Sequence, residues 1–213
     1  MSNWEKTKKK LDKLDLNYST LSKDQFKWFK EACNKAKLKN KLTNDKLIGH
    51  IKEEYEIEYP PKNIVKMLVD LIDSKFSYYL KTLTMLSKDL PFDLDQIWCN
   101  FQKKNEFNPP HTHGGALSFV IYLKVPEELK QENEEYGGLS AGPGGITFLY
   151  GQAEDYSISN HSFFPKEGDM YIFPAYLKHW VYPYKSDCVR VSISGNVIDG
   201  LKLNQMKKKN GKG

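Results

Sequence analysis

Residues 168–196 read GDMYIFPAYLKHWVYPYKSDCVRVSISGN. Three short apolar runs are punctuated here by turn formers: Asp169 to Phe173 after Gly168 and before Pro174, His179 to Tyr182 before Pro183, and Cys188 to Val197. Runs of this length, rich in Val, Ile, Tyr and Phe and bounded by Gly and Pro, predict β-strands. In the last of them Arg190, Ser192 and Ser194 alternate with Val189, Val191 and Ile193, so one face of the strand is polar. Turned inward, that face buries a guanidinium that needs an anion beside it. Turned outward, it leaves an ordinary half-buried strand, and the composition of this strand alone fits both.

The same pattern extends upstream to about Pro91. Asp95 to Gln102, Ala116 to Val125, Ile146 to Tyr150 and Ser159 to Phe164 are further strand candidates. A series of short strands with frequent turn signals predicts a sandwich or barrel with antiparallel pairing. Between them, Glu127 to Gly145 ends in a glycine-rich stretch and is expected to form a mobile loop near one mouth.

Before Pro91 the periodicity becomes helical. Ser22-Lys23-Asp24-Gln25 has the form of a capping box, and Phe26, Phe29, Ala32, Cys33 and Ala36 follow at helical spacing. After Pro60-Pro61 a second amphipathic helix presents Ile64, Met67, Leu68, Leu71 and Ile72 on one face and is expected to run towards Leu86. The segment Leu47 to Tyr55 fits neither period. The expected organisation is a helical region over 1–90 packing on a β core over 91–203, with a basic disordered tail over 204–213.

Composition agrees with a compact fold: 39% apolar and 13% aromatic residues exceed what a disordered chain carries. The net charge of +5 arises largely from lysines near the two ends, which read as solvated tails and support a nucleic-acid partner only weakly. Cys33, Cys99 and Cys188 are widely separated and read as reduced thiols. No apolar stretch is long enough for a membrane span, and the lysine-rich start lacks the apolar core of a signal peptide. A cytoplasmic protein without a membrane partner is expected.

Chemistry concentrates on three of the five histidines. His111 and His113 stand two residues apart in NPPHTHGG, ahead of a predicted strand, so both imidazoles project to one side of an extended segment. His179 follows Pro174 by five residues and reaches the same mouth if the strands pair across a barrel. Three imidazoles on one side of a metal leave the other side open for chemistry. The alternative is packing or surface histidines, the reading preferred for His50 and His161. Trp98, Phe107, Trp180 and Tyr182 are candidates for the wall of such a site.

These residues resemble a known family. H-x-H, a strand ending in Tyr122-Leu123, Phe173-Pro174 followed by His179, and Arg190-x-Ser192-x-Ser194-x-Asn196 are similar to the iron(II)- and 2-oxoglutarate-dependent oxygenases, in particular those of bacteria and of tailed phages of marine bacteria. The resemblance spans about Trp98 to Asn196. Gly168 to His179 is also similar to the second cupin motif, with Tyr176 where cupins often have glycine, and the stretch from Gly49 to Tyr55 resembles the lead-in of the phage members. The implied fold is mainly β, a double-stranded β-helix (jelly roll, cupin-like) with N-terminal flanking helices.

The resemblance implies that His111, His113 and His179 bind iron(II), that Arg190 and Ser192 hold the distal carboxylate of 2-oxoglutarate, and that Tyr122 contacts the same cosubstrate. The implied reaction consumes 2-oxoglutarate and dioxygen and hydroxylates an unidentified substrate, with a protein side chain such as proline the class that resemblance favours. If the chain is phage-encoded, its location is the host cytoplasm. The sequence departs from the family at His113, where an Asp or Glu is usual; Asp155, Asp169 and Glu106 are the alternative carboxylates. A three-histidine cupin-type metalloenzyme that does not use 2-oxoglutarate, or a non-catalytic β-helix module, are the competing readings.

Overall fold

The computed structural model describes residues 17–44, 47–83, 92–149 and 159–198. In chain order its elements are β1 (Asn17–Thr20), α1 (Lys23–Lys39), β2 (Glu54–Glu56), α2 (Lys62–Leu83), β3 (Asp93–Gln102), β4 (Asn108–His111), β5 (Leu117–Lys124), α3 (Glu127–Glu134), β6 (Ile146–Leu149), β7 (Asn160–Phe163), β8 (Asp169–Pro174), β9 (Lys178–Val181) and β10 (Arg190–Ile198). The expected tail over 204–213, both terminal lysine runs and the continuation of the second helix to Leu86 lie outside the described residues.

Ten strands form two antiparallel sheets, one ordered β1-β8-β5-β10-β3-β2 and the other β4-β9-β6-β7. This is the double-stranded β-helix anticipated above. The larger sheet is buried on both faces, and the period-two pattern of its strands divides two environments. Ile97, Cys99 and Phe101 of β3, Phe119 and Ile121 of β5, Met170 and Ile172 of β8 and Ile193 of β10 pack against Phe29 and Cys33 of α1 and Leu68 and Ile72 of α2. The alternate residues, among them Val120, Tyr122, Tyr171 and Phe173, face the smaller sheet and meet Ile146, Phe148 and Val181. Each fully buried Phe, Ile or Leu in these clusters stabilises the fold by roughly 2 kcal/mol.

Helix α1 begins as its sequence predicts. Ser22 Oγ accepts from the Gln25 amide at 3.4 Å and Gln25 Oε1 accepts from the Ser22 amide at 2.7 Å, a reciprocal capping box. It ends at Asn40, whose left-handed backbone (φ 52°) returns its N–H to the carbonyls of Ala36 and Lys37.

Two differences from the sequence reading bear on function. Residues before Pro91 supply strands as well as helices: β1 pairs with β8, and β2 extends the large sheet beyond β3. The Glu127 to Gly145 segment is a built element, not the mobile loop expected: α3 occupies its first half, and the carboxylate of Glu132 accepts from the amides of Lys185 (2.8 Å) and Ser186 (2.7 Å). Asn133 Nδ2 then donates to the carbonyls of Ala141 (2.8 Å) and Pro143 (3.0 Å). The glycines that suggested mobility serve a fixed turn, with φ of 72° at Gly142 and 70° at Gly144, where a side chain is disfavoured.

The middle of the large sheet tolerates no added atom at Gly195. A Cβ there would stand 2.4 Å from the Phe119 ring and 2.9 Å from the Gln96 carbonyl oxygen. Gly195→Ala is therefore expected to destabilise the protein by about 1–3 kcal/mol through overpacking, read as a lower urea midpoint at unchanged m-value.

Candidate active site

The three histidines come from two strands and the turn that follows one of them. His111 ends β4 and lies directly across from His179 of β9, while His113, two residues on, is fixed by its amide donating to the Ala175 carbonyl at 2.8 Å. Their ring centroids are 4.3 to 5.0 Å apart, and one ligand atom from each lies within 4.8 Å of the others. His111 Nδ1 stands 2.7 Å from the Pro109 carbonyl oxygen and His179 Nδ1 2.9 Å from that of Leu177. A carbonyl only accepts, so Nδ1 carries the proton in both rings and Nε2 presents its lone pair to the cluster.

Burial pushes all three imidazoles towards the neutral form, His113 down to about 4, with mutual repulsion adding to the effect at His113 and His179. Neutral imidazoles are what a metal binds. Among the described residues no other group of three or more metal-ligating side chains occurs.

The second half of the site is on β10. Arg190 is buried on the side facing the small sheet, with 3% of its surface exposed. Its Nη1 donates to the Gly144 carbonyl at 2.6 Å, its guanidinium carbon lies 5.3 Å from the centre of the Tyr122 ring, and its Nε has no partner among the described residues. The Tyr122 hydroxyl is likewise buried and unpaired, and burial raises its pKa to about 12, so it stays a donor. Ser192 lies beside Tyr122 in register and accepts from Asn100 Nδ2 at 3.4 Å. A buried guanidinium whose Nε lacks an acceptor, beside a buried hydroxyl that also lacks one, fits a small carboxylate ligand. Neither orientation considered for β10 alone is complete: the Arg/Ser face lines a cavity and the Val/Ile face packs against the helices, so neither meets solvent.

Arg190, Tyr122, Ser192 and the three histidines line one cavity of about 160 Å³. Residues 96–196 match the family profile described as "Putative 2OG-Fe(II) oxygenase". This part of the chain, just under half of its length, is similar to the iron(II)- and 2-oxoglutarate-dependent oxygenases. It is similar in fold to a prolyl-4-hydroxylase of Pseudomonas putida (13% identity, 85% of this chain and 91% of that one covered, TM-score 0.56). The viral collagen prolyl hydroxylase of Paramecium bursaria Chlorella virus-1, solved with 2-oxoglutarate, is similar at 15% identity, 86% and 95% coverage and TM-score 0.52. HygX of Streptomyces hygroscopicus, solved with nickel and 2-oxoglutarate, is similar at 10% identity, 92% and 86% coverage and TM-score 0.53. No curated protein matches the sequence.

The two described carboxylates considered as ligands, Asp169 and Glu106, are engaged elsewhere. Asp169 Oδ2 accepts from the Lys166 amide at 2.8 Å and closes the turn before β8. Glu106 accepts from the amides of Lys103 (2.9 Å) and Lys52 (3.3 Å). Asp155 is outside the described residues. His161 packs edge-on to Phe163, and His50 stacks on Phe107 at 4.7 Å, both away from the cluster. Of the four aromatics proposed as a wall, only Trp98 lines the cavity, with its ring 5.8 Å from that of His113. Trp180 and Tyr182 alternate with His179 and Val181 along the chain and project from the opposite side of β9; the apolar wall is Val120, Ile146, Phe173 and Val181 instead.

The segment that fitted no period proves to be part of the site. Leu47, Ile48, Gly49 and Ile51 line the cavity, held by the His50 amide donating to the Phe107 carbonyl at 2.8 Å. Glu54 lines it too: it is 2% exposed, its Oε2 has no partner among the described residues, and burial together with the charge of Glu106 raises its pKa to about 7.

A carboxyl whose pKa rises on folding from its ordinary 4.5 takes up a proton in the folded state first. Stability is unaffected below pH 4.5, falls as the pH rises from 4.5 to 7, and stays reduced above. Glu54→Gln is therefore expected to flatten this slope in the metal-free protein and to be more stable than wild type above pH 7 by on the order of 2 kcal/mol. Chemical denaturation across that pH range measures it, and parallel pH profiles would contradict it.

Proposed function

We propose that His111, His113 and His179 hold iron(II), that Arg190, Tyr122 and Ser192 hold 2-oxoglutarate, and that the enzyme hydroxylates a C–H bond of an organic substrate bound at the cavity's outer end. The observation that carries this reading is Arg190, a buried guanidinium with an unpaired Nε beside an unpaired Tyr122 hydroxyl, in the same cavity as the three imidazoles. In the reaction proposed, 2-oxoglutarate, dioxygen and R–H become succinate, carbon dioxide and R–OH.

Iron(II) held by the three imidazoles, with 2-oxoglutarate as the reductant, would activate dioxygen, the oxidant of the reaction. The residues supply the rest. Arg190 sits at the start of a central strand, and Gly144, pinned through Asn133 and α3, aims its guanidinium, so an incoming carboxylate meets a preset fork of donors. Tyr122 donates its hydroxyl to the same anion, and its raised pKa keeps it protonated. The imidazoles are oriented by the carbonyls of Pro109 and Leu177. Val120, Ile146, Phe173 and Val181 keep bulk water from the reacting end.

His113 stands where the family usually has a carboxylate. The geometry supports it as the third ligand, since its ring joins the other two and no carboxylate among the described residues does. Two of the proteins similar in fold are prolyl hydroxylases, which supports a protein side chain as the substrate class.

Anaerobic titration with iron(II) and then 2-oxoglutarate tests the assignment. The weak visible band of a chelated keto acid is expected only when both are present. His179→Ala is expected to abolish iron binding, and Arg190→Met to weaken 2-oxoglutarate binding about 100-fold. Because Arg190 has no anionic partner among the described residues, Arg190→Met is also expected to match or exceed wild type in Tm without cosubstrate. Iron binding without the band would move the reading to a three-histidine metalloenzyme that does not use 2-oxoglutarate; a large drop in the Tm of Arg190→Met would make the arginine structural.

A further inference from the structure

The cavity is polarised. Its unpaired buried atoms at one end, Arg190 Nε and the Tyr122 hydroxyl, are donors, whereas those at the other end, Glu54 Oε2, Asn100 Oδ1 and Asn108 Oδ1, are acceptors. The two ends are joined by one row across the large sheet: Tyr122 of β5 pairs with Ser192 of β10, Ser192 with Asn100 of β3, and Asn100 with Glu54 of β2. Register partners share a face, so all four look into the cavity, and Glu54 stands two strands, or roughly 10 Å, from Ser192.

We infer that Glu54 recognises a protonated nitrogen of the substrate, an alkylammonium or guanidinium group, and so selects a basic substrate for the oxygenase. This rests on the reading of the site given above.

Three observations carry the inference. First, Glu54 has no cation of its own among the described residues. Three lysines of the neighbouring segments are engaged elsewhere, Lys37 and Lys103 with Glu53 and Lys41 with Glu56, and Lys52 is exposed to solvent. A carboxylate removed from water without a partner is costly, and an incoming cation offsets that cost. Second, a further acceptor stands close by. A Cβ on Gly49 would stand 2.1 Å from Asn108 Oδ1 and 3.4 Å from Glu54 Oε1, so the bare glycine lets that unpaired Asn108 oxygen sit against the same short stretch of backbone that Glu54 approaches. Third, the subsite adjoins the metal cluster. Trp98, the neighbour of Asn100 two residues back on the same face of β3, packs against His113, and Glu54 and the three imidazoles line the same cavity. A proline ring within a peptide has no N–H and leaves Glu54 unanswered, which separates this pocket from a prolyl hydroxylase's requirement.

The test uses the full chain loaded with nickel(II), a redox-silent metal, and 2-oxoglutarate. Binding of n-butylammonium and n-butylguanidinium is compared with the neutral n-butanol and N-butylurea by calorimetry. The acetylated, amidated peptide Ala-Ala-Lys-Ala-Ala is compared with its norleucine counterpart. Cationic probes are expected to bind at least about 10-fold more tightly than their neutral matches, with the preference collapsing to within about 2-fold in Glu54→Gln. A lysine peptide binding more tightly than free butylammonium assigns the cation to a protein side chain, and the reverse order to a small-molecule amine; either order supports the inference.

Equal binding of charged and neutral probes by wild type overturns it, as does a preference that survives in Glu54→Gln. The wild-type comparison decides the matter alone if the variant does not fold. Binding of 2-oxoglutarate to the nickel-loaded wild type is measured in the same series. Its absence overturns the oxygenase assignment of the site, whereas 2-oxoglutarate binding without charge preference overturns the role of Glu54 alone.

Discussion

The arrangement of the site turns on one buried charge. Arg190 opens β10, a strand paired on one side with β3 and on the other with β5, and its side chain is buried on the face that lines the cavity. A guanidinium in such a place needs compensation, and the described residues supply only part of it: the Gly144 carbonyl and the face of the Tyr122 ring. None of them adds a negative charge beside it. Helix α3, its glycine turn and the Tyr184 hydroxyl, which accepts from the Arg190 amide at 3.3 Å and donates to the Gln102 carbonyl, hold this partly satisfied ion in one geometry. Rigidity here limits the ordering entropy that the cosubstrate loses on binding.

The same sheet separates stability from chemistry by the simplest device available, the alternation of side chains along a strand. Odd positions of β10 such as Val191 and Ile193 face the helices, and even positions such as Arg190, Ser192 and Ser194 face the cavity. That division was visible in the sequence as Arg-x-Ser-x-Ser. What one strand could not reveal is that both of its faces are covered, because the covering elements, α1 and α2 on one side and the small sheet on the other, are distant in the chain. The histidines were legible for a similar reason: two at spacing two and one after a strand-ending proline are local signals of direction, and the pairing of β4 with β9 joins them.

The parts that were not legible fail for identifiable reasons. Glu54 lies on a strand of three residues, too short to carry a period, and reaches the site only because β2 adds to the edge of β3. Gly49 matters because of the side chains of Asn108 and Glu54, a relation with no trace in local sequence. Glycines between residues 137 and 145 suggested a loose loop by composition, whereas two of them adopt left-handed backbone that fixes a turn and delivers the Gly144 carbonyl to Arg190. Trp180 and Tyr182 were chosen for being aromatic near a histidine, and the parity of their positions puts them on the other side of the strand.

Charge bookkeeping connects the two ends of the cavity. On the ligand set proposed, three neutral imidazoles leave the metal without the carboxylate that the family pattern places at position 113. Iron(II) and dianionic 2-oxoglutarate then cancel, and Arg190 remains as one uncompensated positive charge. Glu54 is the cavity-lining carboxylate that can balance it, at the other end of the Tyr122–Ser192–Asn100–Glu54 row. The formal sum equals that of a two-histidine, one-carboxylate site with a neutral wall, but the negative charge has moved from the metal to the place where substrate docks. A carboxylate bound to metal is spent on the metal; one placed at Glu54 stays available to a cation, and the low dielectric of a buried position strengthens that attraction.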